Sequence, residues 1–141
     1  MNYQKMAEEL LAIRAEQLKV PANQQMSKLI KGELFVLNYL STHNRVAYPK
    51  ELSREMVVST ARIAVILNHM EEKKWITRTG DVDDNRQTIV TLTDKGCEEI
   101  EKKRTEVIVS VAKMLEQIGA DDAQEFLRIQ KKIVSSCFKQ G

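Results

Sequence analysis

The run Trp75-Ile76-Thr77-Arg78, the polar loop Gly80-Asp81-Val82-Asp83-Asp84-Asn85-Arg86-Gln87, and the run Thr88-Ile89-Val90-Thr91-Leu92 decide the reading of this chain. Both flanking runs are rich in β-branched or aromatic residues, and the second alternates with period two, so they predict a β-hairpin. Immediately upstream, Ser59 is a good N-cap for a helix running to about Lys74. Ile63, Ile66, Leu67 and Met70 line one apolar stripe of that helix. A shorter helix precedes it, Pro49 to Met56, with proline in the first turn and Leu52 and Met56 pointing inward. Two helices joined by two or three residues form a helix-turn-helix. With a hairpin directly behind them, they form a winged helix.

Outward from this core the chain is helical. Leu34-Phe35-Val36-Leu37-Asn38-Tyr39-Leu40 reads as a buried helix closed by Ser41-Thr42-His43-Asn44. At the N-terminus, Tyr3, Met6, Ala7, Leu10, Leu11, Ile13 and Leu18 recur at helical spacing. Pro21 and Asn23-Gln24-Gln25 end that helix or mark a joint. Thr93 caps a long helix through Ile100, Val107, Ile108, Val111 and Leu115. Asp121 is expected to cap the last, with Phe126, Ile129, Ile133, Val134, Cys137 and Phe138 on its apolar side. The expected fold is mainly α with a small β-hairpin wing. Residues 1–30 form an N-terminal arm, 31–96 the winged helix-turn-helix core, and 97–141 the C-terminal helices.

Composition excludes several classes. Of 141 residues, 43% are hydrophobic and 30% charged, enough apolar material for a core. No apolar run approaches the roughly 18 residues that span a bilayer. The acids Glu8 and Glu9 stand where a signal peptide needs apolar residues. Cys97 and Cys137 do not make a disulfide scaffold, and their spacing suits the cytoplasm. Bases and acids number four against three in residues 1–30, ten against nine in 31–96, and eight against eight in 97–141. Charge alone therefore predicts no nucleic-acid partner, and such a claim rests on motif and geometry.

The motif is present. Asp84-Asn85-Arg86, then Val90-Thr91-Leu92-Thr93-Asp94-Lys95-Gly96, resembles the wing signature of the multiple-antibiotic-resistance regulator (MarR) family: Asp-x-Arg, a strand, then Leu-Thr-x-x-Gly opening the next helix. Met70 to Arg78 also resembles the family's junction between recognition helix and wing. The resemblance implies a two-fold homodimer knitted by both termini, which binds double-stranded DNA and most often represses transcription. It also implies that Arg86 reaches the minor groove from the wing tip, where a narrow groove concentrates negative potential. Asp84 would orient an arginine by charge-assisted hydrogen bonds. Val57 and Lys74 stand where the family often has glycine, a change of little consequence if the backbone avoids positive φ there. Ala64 and Val65 replace Thr or Ser and Arg, which leaves base readout to apolar contact or to neighbours.

At about 100° per residue, Thr60, Ala61, Ala64 and Asn68 gather opposite Ile63, Leu67 and Met70, with Val65 flanking. Asn68 suits the N6/N7 edge of adenine, and Ala and Val suit thymine methyls. Arg62 and His69 lie at the rim of this face, and Arg78 at the wing's base is a phosphate candidate. The DNA-binding set expected from sequence is thus Ser59, Thr60, Ala61, Arg62, Ala64, Val65, Asn68, Arg78 and Arg86.

The first and last two helices carry more apolar face than the small core covers, so a second copy is expected to cover it. A dimer places two recognition helices about one DNA turn apart (roughly 34 Å) on a pseudo-palindrome. The family resemblance implies release of DNA on binding small, often anionic aromatic compounds between arms and core. Arg14, Tyr39 and His43 are the candidates for that site. The competing reading is a winged-helix dimer that binds protein or ligand without specific DNA binding; the acids Asp81, Asp83 and Asp84 in the loop support it. Asp81-x-Asp83-x-Asn85 imitates a calcium loop but has Arg86 in place of its glycine and Leu92 in place of its final glutamate. No metal site, cofactor or catalytic constellation is expected, and the chain does not read as an enzyme. Cys97, at a helix start that would activate it but beside Glu98 and Glu99, which oppose a thiolate, is the redox candidate, and Cys137 reads as packing.

Overall fold

A computed structural model describes residues 1–80, 83 and 87–139. Among these, seven helices and three short strands follow in order: α1 (Tyr3–Gln17), α2 (Pro21–Lys28), α3 (Gly32–Thr42), β1 (Val46–Ala47), α4 (Pro49–Met56), α5 (Thr60–Glu72), β2 (Ile76–Gly80), β3 (Thr88–Leu92), α6 (Asp94–Ile118) and α7 (Ala120–Lys139). The strands form one antiparallel sheet in the order β1-β3-β2, with Ile76 opposite Leu92 and Arg78 opposite Val90. This is a winged helix flanked by long helices, as the period-two and helical patterns predict.

One apolar core holds the winged unit together. Val36, Leu37 and Leu40 of α3, Leu52 of α4, Ile63, Leu67 and Met70 of α5, Ile76 and Val90 of the sheet, and Ile100 of α6 are all buried in it. Each expected inward residue of α5 lies on the buried side, so its opposite face is set by default.

Three local features differ from expectation. Pro21 marks the expected joint, α1 having ended at Gln17, but Asn23-Gln24-Gln25 are helical because Pro21 starts α2. Proline at the first helical position lacks only an N–H that has no helical partner anyway. The amides of Asn23 and Gln24 then donate to the carbonyls of Gln17 and Leu18, at 3.3 and 2.9 Å, and satisfy the frayed end of α1. Ala22 is buried where α2 packs on α6. Second, α7 begins at Ala120, with Ala123 N–H donating to the Gly119 carbonyl at 2.9 Å. Asp121 therefore sits inside the first turn and is not the cap; there it complements the helix dipole.

The third difference concerns the two glycine-like positions. Val57 has φ 56° and Lys74 φ 64°, so both occupy the left-handed region. At Val57 the N–H donates to the Arg54 carbonyl, and the next N–H, of Val58, donates to Ser53. At Lys74 the N–H donates to Glu71, and that of Trp75 to Met70. Both are Schellman caps, which close the two helices of the helix-turn-helix with a residue that has a Cβ where glycine is favoured. The chain reverses sharply at both points because the next element must return to the core.

Candidate nucleic-acid interface

The turn between α4 and α5 is built from Val57, Val58 and Ser59. Ser53 Oγ donates to the Val58 carbonyl at 2.5 Å, and Ser59 Oγ accepts from the Arg62 N–H at 3.1 Å. The first bond pins the turn to α4 and the second starts α5. With Ile63, Ile66, Leu67 and Met70 buried, Thr60, Ala61, Arg62, Ala64, Val65 and Asn68 all stand exposed on the protomer, as does Ser59. The face expected from helical arithmetic is therefore formed, and among the described residues no other helix covers it. A shallow cleft of about 340 Å³ separates this face from the sheet, lined by Thr60, Ala64, Leu67, Arg78, Thr79 and Thr88.

Arg78 does not stand ready for a phosphate. Its Nε and Nη2 donate to the two carboxylate oxygens of Glu71 at 3.2 and 3.1 Å, and Nη2 also donates to Asn68 Oδ1 at 2.8 Å. The guanidinium holds the Glu71 carboxyl below its ordinary range. Strand β2 is thus tied to the exposed face of α5. Glu71 was not among the residues expected at this face. Its signal in the sequence is its i,i+3 spacing from Asn68, which puts both on one side of the helix. Arg86 and Asp84, the wing residues named from the motif, lie outside the described residues.

The residues proposed for an effector do not converge. Arg14 and Gln17 of α1, Asn23 and Met26 of α2, Met114 of α6 and Phe126 of α7 line a cavity of about 330 Å³. Tyr39 and His43 lie elsewhere, on α3 and at its C-cap. Their rings stack at 3.8 Å between centroids, and the His43 ring Nδ1 lies 2.7 Å from the Tyr39 carbonyl. The Tyr39 hydroxyl donates to Glu51 of α4, whose second oxygen accepts from the Tyr48 N–H at 3.3 Å. Tyr39 and Glu51 are thus a strut between α3 and α4. The phenol is pushed up to about 12, first by the hydrogen bond to Glu51 and then by desolvation.

Of the cysteines, Cys97 is half-buried, and burial followed by the charge of Glu101 pushes its thiol up. The helix start does not activate it. Cys137 is exposed on α7 and not packed, because none of the described residues covers that face of α7. Among the described residues no cluster of three or more His, Cys, Asp or Glu is placed to hold a metal, and no helix is long and apolar enough to cross a membrane.

Comparison with known proteins agrees with this geometry. The profile of the family described as "Transcriptional regulator SarA/Rot" matches residues 19–103, which include the whole winged unit. A curated relative, the uncharacterized HTH-type transcriptional regulator YwhA of Bacillus subtilis (strain 168), is 26% identical over 102 residues, 70% of either chain. The crystal structure of YusO from Bacillus subtilis superposes with a TM-score of 0.70 at 23% identity, covering 96% of this chain and 98% of that one. A mutant MarR from E. coli gives 0.69 at 19% identity, covering 90% and 95%. The last two are likenesses of fold.

Proposed function

The chain belongs to the SarA/Rot family of transcriptional regulators and has the MarR-type winged-helix fold, and on that premise we propose that it is a homodimeric, ligand-responsive repressor acting in the cytoplasm on a pseudo-palindromic operator. The observation that carries this reading is the exposed face of α5. Small and polar side chains (Thr60, Ala61, Ala64, Asn68) stand exposed there beside the sheet, with Arg78 of β2 against Asn68. A face of that width and shallow relief fits a major groove. Arg62 at its rim is the phosphate contact, and Arg86, with Asp84 to orient an arginine, is the wing's minor-groove contact.

A second copy of the chain completes the device. None of the residues of α1 is buried, and Leu10, Leu11 and Ile13 are exposed along it. A helix of that length is marginal in water without packing. Phe126, Ile129, Ile133 and Phe138 of α7 are exposed in the same way. Pairing these faces across a two-fold axis buries them and spaces two α5 helices for successive major grooves. The cavity at Arg14 lies among α1, α2, α6 and α7, and its guanidinium suits a small anionic aromatic effector. Filling it shifts the arms and so the spacing of the two recognition helices.

The test is a gel shift with the promoter next to the coding gene, together with sedimentation of the free protein. A dimer that retards this promoter at least tenfold more tightly than unrelated DNA of equal length is the expected result. Equal retardation of both DNAs would favour the alternative, a winged-helix dimer that binds protein or ligand without specific DNA recognition. The acids Asp81, Asp83 and Asp84 and the apolar Ala64 and Val65 are what favour that alternative.

A further inference from the structure

The clamp of Arg78 on α5 bears on what the recognition helix reads. Arginine has five donors and no acceptor, so the atom of the Asn68 amide that faces it at 2.8 Å is the carbonyl oxygen. Glu71 holds the same guanidinium through both carboxylate oxygens, and the planar fork leaves it little freedom to turn away. The amide plane of Asn68 is therefore fixed, with Oδ1 toward the sheet and the Nδ2 donors away from Arg78. Polarisation of the carbonyl by a cation also strengthens those donors.

We infer that Arg78 is a positioning residue for base recognition, which makes Asn68 enter the groove as a hydrogen-bond donor and so accept either purine at its position. This inference rests on the DNA-reading function proposed above. A free asparagine amide favours adenine, with which it pairs bidentately by donating to N7 and accepting from N6. An amide whose oxygen is turned to the sheet and held there by Arg78 presents its Nδ2 protons to the groove, and these need only acceptors. Guanine offers N7 and O6, adenine offers N7, and cytosine presents a donor at its N4 edge. Arg78 itself, engaged by Glu71 and Asn68, contributes orientation to the complex and not a phosphate contact.

Selection from a duplex library with randomised base pairs, using the full-length protein, tests the idea. Asn68→Ala identifies the position, as the one whose bias flattens while the rest of the motif persists. Wild-type protein is expected to take guanine and adenine there within about threefold of each other, and cytosine at least fivefold less. In Arg78→Leu the freed amide can pair bidentately, so guanine should fall at least fivefold relative to adenine. Glu71→Gln, which keeps the arginine but loosens its anchor, should move the ratio in the same direction. A uniform loss of affinity in Arg78→Leu with unchanged base ratios, together with a shallower salt dependence, is the signature of a phosphate contact and overturns the inference. A wild-type preference for adenine alone overturns it as well. If wild-type protein enriches no motif at all, the DNA-reading function itself fails, and the inference with it.

Discussion

Gly96, in the first turn of α6, lies directly beneath the carbonyl of Trp75: a Cβ on Gly96 would stand 2.3 Å from that oxygen and 2.7 Å from Leu92 Cδ1. The Trp75 carbonyl accepts from the Thr93 N–H at 2.9 Å, and Thr93 Oγ1 donates to the Lys74 carbonyl at 2.6 Å while accepting from the Gly96 N–H at 3.1 Å. The end of α5, the start of β2 and the start of α6 therefore meet at one knot. The Leu-Thr-x-x-Gly run of the sequence is the chemistry of that knot: Leu92 fills it, Thr93 caps it, and Gly96 allows the approach.

Gly96→Ala should accordingly destabilise the protein by about 1–3 kcal/mol, because backbone and not a flexible side chain must yield. Gly80→Ala is the control, since among the described residues nothing beyond its chain neighbours lies within 4 Å of a Cβ there. Urea melts of the two variants check the difference. Equal midpoints would mean that α6 can shift away from the wing without cost.

Val57 and Lys74 should respond in the opposite sense. A left-handed conformation costs a residue with a Cβ roughly 1–2 kcal/mol, and the β-branched Val57 is the worse case. Val57→Gly and Lys74→Gly should each stabilise by up to about 1 kcal/mol after the greater chain entropy of glycine is taken off. Thermal melts should show the larger gain at Val57, a residue that is 88% exposed and has little packing to lose.

The strut between Tyr39 and Glu51 carries a pH signature. Tyr39 ionises near 10 in an unfolded chain and is pushed up to about 12 in the fold. Between these values the folded chain keeps a proton that the unfolded chain has released, so stability is intact below pH 10 and lost as pH rises through 12. Urea melts across that window should show a steeper decline for wild-type protein than for Tyr39→Phe. Parallel curves would mean that the phenol and Glu51 do not pair in solution.

Cys97 should be a slow thiol. Its Sγ lies 3.6 Å from Glu101 Oε1, and burial and that carboxylate both oppose the thiolate. Alkylation of Cys97 by iodoacetamide at pH 8 should accelerate by a factor of about 3 in Glu101→Gln. Mild peroxide should leave DNA binding of the wild-type protein unchanged. Loss of binding on oxidation that Cys97→Ser prevents would reinstate a thiol switch.

The wing, the helix-turn-helix and the exposed face of α5 were legible in the residues because each depends on local periodicity. Alternation over Thr88 to Leu92 makes a strand, and the spacing of Ile63, Leu67 and Met70 sets the buried side of a helix whatever lies beyond it. Ser59 and Thr93 announce their helices because a cap acts within three residues. The tertiary structure decided what depends on distance between elements. Positive φ at Val57 and Lys74 follows from where the next element must go, since neither residue has a preference for it. Arg78 is tied to Glu71 and Asn68 only because β2 runs beside α5. Arg14 and Tyr39, both on helical faces, belong to different places because Arg14 lines a cavity shared with α2, α6 and α7 while Tyr39 bonds to Glu51 of α4. Such pairings are set by packing across the whole core, and no window of sequence contains both partners.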